Sequence, residues 1–130
     1  MVPGECVVQD IHGLWCSTSC RDFSKNNSKK HSTTILGDDD PGGGSVLTFN
    51  GLCDLMEMLR PDIVIWENVD DVSQLKSDGG SNLDMVLLRW QDLGYDAQVV
   101  YCNSQVYGLP ENRFRCYIVT LSLTPKTFTF

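Results

Sequence analysis

Reactive and charged side chains are concentrated in three short segments of this 130-residue chain. Residues 19–24 read SCRDFS, residues 67–69 read ENV, and residues 107–115 read YGLPENRFR. A cysteine thiolate is a soft nucleophile suited to covalent catalysis, and a carboxyl group can stabilise the charge that develops during attack. Paired arginines hold planar or anionic groups through fixed donors. Each segment alone has an ordinary structural explanation, so only their combination and order can carry a functional interpretation.

Apolar patterning predicts elements that end at these segments. Residues 63–66 form a short continuous apolar run directly before the ENV segment, which is typical of a strand buried on both faces of a parallel sheet. Further strands are predicted at 97–102 and 116–121, and an early strand at 6–8 or 13–16. Two helices are predicted from apolar faces, one formed by Leu52, Leu55, Met56 and Leu59 and ended by Pro61, the other by Leu83, Val86, Leu87 and Trp90.

The order of these elements indicates an α/β fold. A capping box of Ser81 and Asp84 begins the second helix, and Gly94 ends it. Strand, helix, strand, helix, strand, strand is an α/β order, with functional sites expected at the carboxyl ends of the strands. A polar stretch at about 25–45 predicts a surface loop within a single domain.

Composition narrows the functional class. Seventeen acidic and ten basic side chains give a formal net charge of -7, which argues against a free-standing binder of nucleic-acid backbone. This charge is compatible with a part of a catalytic domain whose basic contacts to nucleic acid lie elsewhere in a longer chain. No apolar run is long enough to span a bilayer and no signal peptide is visible, so an intracellular protein without membrane contact is expected.

The six cysteines are predicted to be reduced thiols, because the helix and strand patterns do not need disulfides. They are Cys6, Cys16, Cys20, Cys53, Cys102 and Cys116. A zinc site on Cys16, Cys20 and His31 is disfavoured, since a structural site needs four ligands.

In this order and spacing, the three segments resemble the DNA cytosine-5 methyltransferase family. SCRDFS is similar to the family's Pro-Cys-Gln-x-Phe-Ser, ENV matches its Glu-Asn-Val, and GLPENRFR at 108–115 is similar to Gly-Val-Pro-Gln-x-Arg-x-Arg. The resemblance covers about residues 10–121. It implies that residues 1–130 form part of a Rossmann-like, S-adenosylmethionine-dependent methyltransferase core, without the N-terminal donor-binding strands and the target-recognition region.

The resemblance also implies a role for each reactive residue. Cys20 would add to carbon 6 of a cytosine that has been flipped out of DNA, and Glu67 would lie near ring nitrogen 3 of that base. Asn68 would order the loop through its amide. Arg113 and Arg115 would hold the base or its phosphates, and S-adenosylmethionine would donate the methyl group.

The chain departs from the family pattern at three positions. Ser19 replaces the proline before the nucleophile, which is expected to loosen the loop, and Ser19 is also a candidate contact of S-adenosylmethionine. Arg21 and Glu111 replace glutamines. Glu111 is expected to pair with Arg113 and weaken its contact with phosphate.

Several functional hypotheses stay open at this point. The chain is expected to have little or no methyltransferase activity alone, as one part of a longer or split enzyme or as a gene fragment. The same residues would serve a cytosine in transfer RNA equally well. A non-catalytic remnant acting through protein contacts is the third hypothesis, and a nuclear location would follow only in a eukaryote.

Overall fold

The computed structural model of this protein describes residues 10–23, 44–76 and 79–126. Its elements in chain order are the strand β1 (Gly13–Ser17), the helix α1 (Gly44–Leu59), β2 (Ile63–Val69), α2 (Asn82–Asp92), β3 (Tyr95–Asn103) and β4 (Phe114–Ser122). Short 3₁₀ turns follow β2 and β3, at Asp70–Ser73 and Ser104–Tyr107. The predicted order of strands and helices is confirmed. The alternative early strand at 6–8 and most of the polar stretch at 25–45 lie outside the described residues.

The four strands form one mixed sheet in the order β1-β2-β4-β3. β1 and β2 are parallel, with Ser17 opposite Glu67 at their carboxyl ends. β4 runs antiparallel to both of its neighbours, and it begins with Phe114 opposite Asn103 at the end of β3. The three segments singled out in the sequence therefore meet at one edge of the sheet.

Both helices pack on the same face of the sheet, around three aromatic rings. The ring centroid of Phe49 on α1 lies 6.1 Å from that of Trp66 on β2 and 6.3 Å from that of Trp90 on α2. The two tryptophans meet edge to face at 5.9 Å. Offset and edge-to-face arrangements of this kind are favourable beyond the apolar area they bury.

The expectation that β2 is buried on both faces is wrong. Val64, Trp66 and Asn68 are buried, whereas Ile63 is 42% exposed. Side chains of a strand alternate between faces, and within the described residues both helices cover only one of them. The opposite face presents Trp15, which is 71% exposed.

The first helix differs in part from its predicted face, whereas the predicted face of α2 is confirmed. Leu55 is 41% exposed, because the face of α1 that packs on the sheet is a stripe that includes Phe49, Leu52 and Met56. In α2 both hydrogen bonds of the predicted capping box are present, and Gly94 ends the helix at φ +88°. No helix in the described part of the chain is long and apolar enough to cross a membrane.

Candidate active site

Cys20 lies in a turn that the N-terminus of α1 holds in place. The Phe23 N–H donates to the Cys20 carbonyl at 3.0 Å, and the Phe23 ring is buried. The Ser45 N–H donates to Asp22 Oδ2 at 2.9 Å, and the Asp22 N–H donates to Ser45 Oγ at 3.2 Å. A carboxylate at a helix N-terminus satisfies a free N–H and interacts favourably with the helix dipole. The half-buried Cys20 is thereby fixed relative to α1.

The other end of this turn is tied to β2 through Thr18. Its hydroxyl oxygen accepts from Trp66 Nε1 at 2.9 Å and from Asn68 Nδ2 at 3.1 Å. Asn68 Oδ1 in turn accepts from the Val69 N–H at 2.8 Å. Asn68 is therefore buried on the core face, where its amide contacts the segment that leads to Cys20.

Glu67 points to the opposite face of the sheet, where both of its oxygens are engaged. Arg115 Nε lies 2.8 Å from Glu67 Oε1, and the Ser17 hydroxyl donates to Glu67 Oε2. The side chains of Glu67 and Arg115 are 22% and 23% exposed. This arrangement arises because β2 lies between β1 and β4, so residues of both neighbouring strands flank Glu67 on the same face.

A cleft of about 370 Å³ opens on this face, at the edge where the three segments meet. Its volume falls within the range of small-ligand sites. It is lined by Glu67, Cys102, Ser104, Tyr107, Leu109, Arg113, Arg115 and Tyr117. The cleft thus brings together three of the five residues assigned to catalysis, while Cys20 and Asn68 are not among its lining residues.

Arg113 is held near the cleft by a structured turn. Its N–H donates to Ser104 Oγ at 3.2 Å, and its carbonyl accepts from the Ser104 N–H at 3.1 Å. Gly108 allows the turn because its φ is +82°. The guanidinium of Arg113 is half exposed and lies 4.0 Å from Glu111. The two residues therefore pair as expected, but an exposed pair of this kind contributes little.

Burial separates the cysteines into two groups. It raises the pKa of Cys16 and of Cys116 to about 11, and it also raises the pKa of Cys53. A thiol with a pKa near 11 is only about 0.1% ionised at pH 8, so these thiols are poor nucleophiles. Cys20 and Cys102 are the remaining cysteines in the described ranges, and all five described cysteines are free thiols.

The sequence patterns did not indicate three residues that belong to the candidate site, namely Ser17, Thr18 and Cys102. Cys102 Sγ lies 3.9 Å from the Tyr107 hydroxyl, and this contact raises the pKa of Tyr107. Side chains alternate along β3, so Cys102 lies on the face of the sheet that carries Glu67 and Arg115, and Val99 lies on the core face. This alternation could have been read from the sequence. No comparable local pattern marks Ser17 or Thr18.

The described residues do not form a recognisable site for S-adenosylmethionine. The Ser19 N–H donates to Thr48 Oγ1 at 3.0 Å, and the Ser19 hydroxyl accepts from the Arg21 N–H at 3.5 Å. One partly engaged serine does not fit a nucleoside that carries an amino-acid tail. In the described ranges no group of three or more His, Cys, Asp or Glu side chains is arranged to hold a metal ion, and His31 lies outside them.

The fold is shared with solved methyltransferases. The chain matches the structure titled Entamoeba histolytica methyltransferase EhMeth with a TM-score of 0.56 and 19% identity, over 88% of this chain and 32% of the other. It matches the S. pombe Dnmt2 methyltransferase with a TM-score of 0.57 and 13% identity, over 90% of this chain and 32% of the other. These similarities confirm the expected α/β methyltransferase fold.

Sequence comparison identifies the family. The chain is 30% identical over 117 residues to the DNA (cytosine-5-)-methyltransferase DMT5 of Cryptococcus neoformans, covering 90% of this chain and 4% of that protein. It is 34% identical over 68 residues to the type II methyltransferase M.BanI of Aneurinibacillus aneurinilyticus, covering 52% of this chain and 15% of that protein. A family model described as C-5 cytosine-specific DNA methylase matches residues 5–126. This chain, which spans a small part of the length of these relatives, therefore belongs to the C-5 cytosine-specific DNA methylase family.

Proposed function

We propose that this chain is a part of the catalytic domain of a DNA cytosine-5 methyltransferase. In the proposed reaction, the Cys20 thiolate adds to carbon 6 of a flipped-out cytosine and thereby activates carbon 5, the atom to which S-adenosylmethionine would supply a methyl group. The observation that carries the proposal is the contact between Glu67 and Arg115, which line a cleft at the sheet edge where the Cys20 segment begins.

The strand register supports an approach of Cys20 to a base in this cleft. Ser17 lies opposite Glu67 in the parallel pair β1-β2, and Cys20 follows Ser17 by three residues. Three residues span at most about 10 Å. The Cys20 backbone therefore lies within about 10 Å of the end of β1, on a turn held by α1 and Thr18.

The chemistry of these groups suits addition to cytosine. Carbon 5 of cytosine is a weak nucleophile, and it becomes a strong one when a thiolate forms a bond to carbon 6. A carboxyl group beside ring nitrogen 3 stabilises the charge that the ring gains in this step, which is the role proposed for Glu67. Arg115 orients Glu67 and borders the base pocket, while the half-exposed Arg113 is placed to contact a phosphate.

Asn68 is proposed to act from the core side. Its amide donates to Thr18 at 3.1 Å, two residues before Cys20, so it orders the nucleophile segment rather than contacting the base. Ser19 remains a candidate contact of the methyl donor. Because the described residues do not fit that donor, no catalytic step is derived through it.

The proposed substrate is DNA, because the matching family is described as a C-5 cytosine-specific DNA methylase and the relative from Cryptococcus neoformans as a DNA (cytosine-5-)-methyltransferase. No observation in the described structure favours transfer RNA. Further segments of a longer or split enzyme are proposed to supply donor binding and target recognition, so the isolated chain is expected to show little or no methyl transfer.

Covalent trapping tests the addition step separately from methyl transfer. A single-stranded oligonucleotide containing pyrimidin-2-one needs only thiolate addition to form an adduct, and a single strand requires no base flipping. The same strand with 5-fluorocytosine and S-adenosylmethionine requires methyl transfer before it is trapped. Both reactions are read as intact mass under denaturing conditions, after circular dichroism has shown that each protein is folded.

We expect a pyrimidin-2-one adduct that is lost in Cys20→Ser and retained in Cys102→Ser, the matched control for the second half-buried thiol. The 5-fluorocytosine strand is expected to give no adduct with the isolated chain. An adduct that survives Cys20→Ser and is lost in Cys102→Ser would show that Cys102, and not Cys20, is the nucleophile. A folded chain that forms no adduct with either strand would contradict the proposal that it carries the addition step.

A further inference from the structure

Among the described residues that line the cleft, Glu67 is the only acidic one, and its orientation sets where the cleft presents a negative charge. A glutamate has three rotatable side-chain bonds, so one contact leaves its carboxylate free to pivot. The Arg115 Nε contact at Oε1, 2.8 Å long, is one such contact. A second contact at the other oxygen is needed to fix the plane of the carboxylate.

Ser17 supplies that second contact from the opposite side. Its hydroxyl donates to Glu67 Oε2, and it also lies 3.4 Å from the Glu67 carbonyl oxygen. Ser17 and Arg115 belong to different strands, β1 and β4, on either side of β2. The carboxylate is therefore held between the two strands that flank it. Each carboxylate oxygen can accept two hydrogen bonds, so both oxygens retain an acceptor position for a ligand.

Ser17 also belongs to the strand that leads to the proposed nucleophile. The next residue, Thr18, binds Asn68 and Trp66 on the other face of the sheet. Ser17, the last residue of β1, thus binds β2 on one face, and Thr18, the residue after β1, binds β2 on the other. The link from Ser17 connects the Glu67 carboxylate directly to the segment that ends at Cys20.

We infer that Ser17 is a positioning residue, which orients the Glu67 carboxylate in the cleft and couples it to the Cys20 segment. The inference deepens the proposed function, because the consequence of this orientation for catalysis rests on the role proposed for Glu67. Ser17 itself does not contact the reacting atoms. Supporting residues of this kind are needed because small displacements of a reactive group are costly in rate.

The structural part of the inference is tested without any activity, through the Arg115 Nε–H signal in ¹⁵N NMR spectra of the full chain. This proton exchanges slowly with water as long as Glu67 Oε1 holds it, and Arg115→Lys assigns the signal. If Ser17 holds Glu67 in place, Ser17→Ala should raise the exchange rate of this proton about tenfold. Ser17→Thr retains a hydroxyl and should restore the original exchange rate. Glu67→Gln removes the carboxylate charge and gives the exchange rate expected when the ion pair is lost.

An unchanged exchange rate in Ser17→Ala would overturn the inference, and so would a Ser17→Thr variant that behaves like Ser17→Ala. The catalytic consequence is read from the rate of adduct formation with pyrimidin-2-one, which Ser17→Ala should lower about tenfold and Ser17→Thr should restore. If the unmodified chain forms no adduct while the exchange rates behave as expected, the proposed function fails and the positioning of Glu67 by Ser17 stands.

Discussion

Replacing Thr18 by valine tests how the nucleophile segment is anchored. Valine has nearly the same shape as threonine, so Thr18→Val removes the hydroxyl without leaving a large cavity. Trp66 Nε1 and Asn68 Nδ2 then lose their common acceptor. The Trp66 side chain is fully buried and Asn68 is 2% exposed, so water cannot easily replace that acceptor.

The expected cost follows from these two donors. An unsatisfied buried donor costs about 1–3 kcal/mol, and local relaxation recovers a part of that. We therefore expect Thr18→Val to lower the free energy of unfolding by about 2–4 kcal/mol. Thr18→Ser keeps the hydroxyl and loses one methyl group on a half-buried side chain, which costs about 0.5 kcal/mol.

Urea unfolding at equilibrium measures both variants. With a slope of about 2 kcal/mol per molar urea, Thr18→Val should move the midpoint by about 1–2 M while the slope stays unchanged. The Trp66 indole N–H signal should shift in Thr18→Val and stay near its original position in Thr18→Ser.

The relative stability of the two variants shows whether Thr18 acts through its hydroxyl or through apolar packing. If Thr18 acted only through apolar packing, valine would be tolerated and serine would be the more destabilising change. A Thr18→Ser variant that is less stable than Thr18→Val would therefore refute the hydrogen-bonding role assigned to this residue.

Four further substitutions test the scaffold. Gly51→Ala should stabilise the protein by about 1 kcal/mol, since Gly51 lies inside α1 with open space at its Cβ position. Gly108→Ala should destabilise the protein by about 1 kcal/mol, since φ is +82° there and the space at the Cβ position is equally open. Urea unfolding measures both glycine variants. Stability changes of the same sign in both would contradict the role assigned to backbone conformation. The hydrogen bond from His12 is the main cause that lowers the pKa of Asp62, so the stabilisation by this carboxylate is complete above its unfolded-state pKa near 4 and disappears as pH falls through the lower folded-state value. The difference in unfolding free energy between the unmodified protein and Asp62→Asn should thus shrink as pH falls below about 4, and a difference that keeps growing below that pH would speak against this linkage. Asp22→Ala should cost about 1 kcal/mol, because its carboxylate accepts from a first-turn N–H of α1; thermal unfolding measures it, and a melting temperature equal to that of the unmodified protein would exclude the cap.

Features that depend on neighbours in sequence could be predicted. The capping box of Ser81 and Asp84 joins residues three positions apart, and Gly94 ends α2 because of its own backbone freedom. The order of strands and helices also followed from apolar patterning. Leu55 was assigned to a buried face in error, since the apolar residues of α1 are compatible with more than one stripe and the partner elements select between them.

The chemical identity of the candidate site was already determined by the sequence, because the thiol of Cys20, the carboxyl group of Glu67 and the guanidinium of Arg115 are properties of single residues in a recognisable order. Which of them touch was decided only by the tertiary structure. Ser17 meets Glu67 across 50 positions of sequence, and that contact exists because β1 and β2 pair in a particular register. A shift of one residue would turn every side chain of a strand to the other face. Register and strand order arise from packing of the whole sheet against α1 and α2, and no local pattern in the chain encodes them.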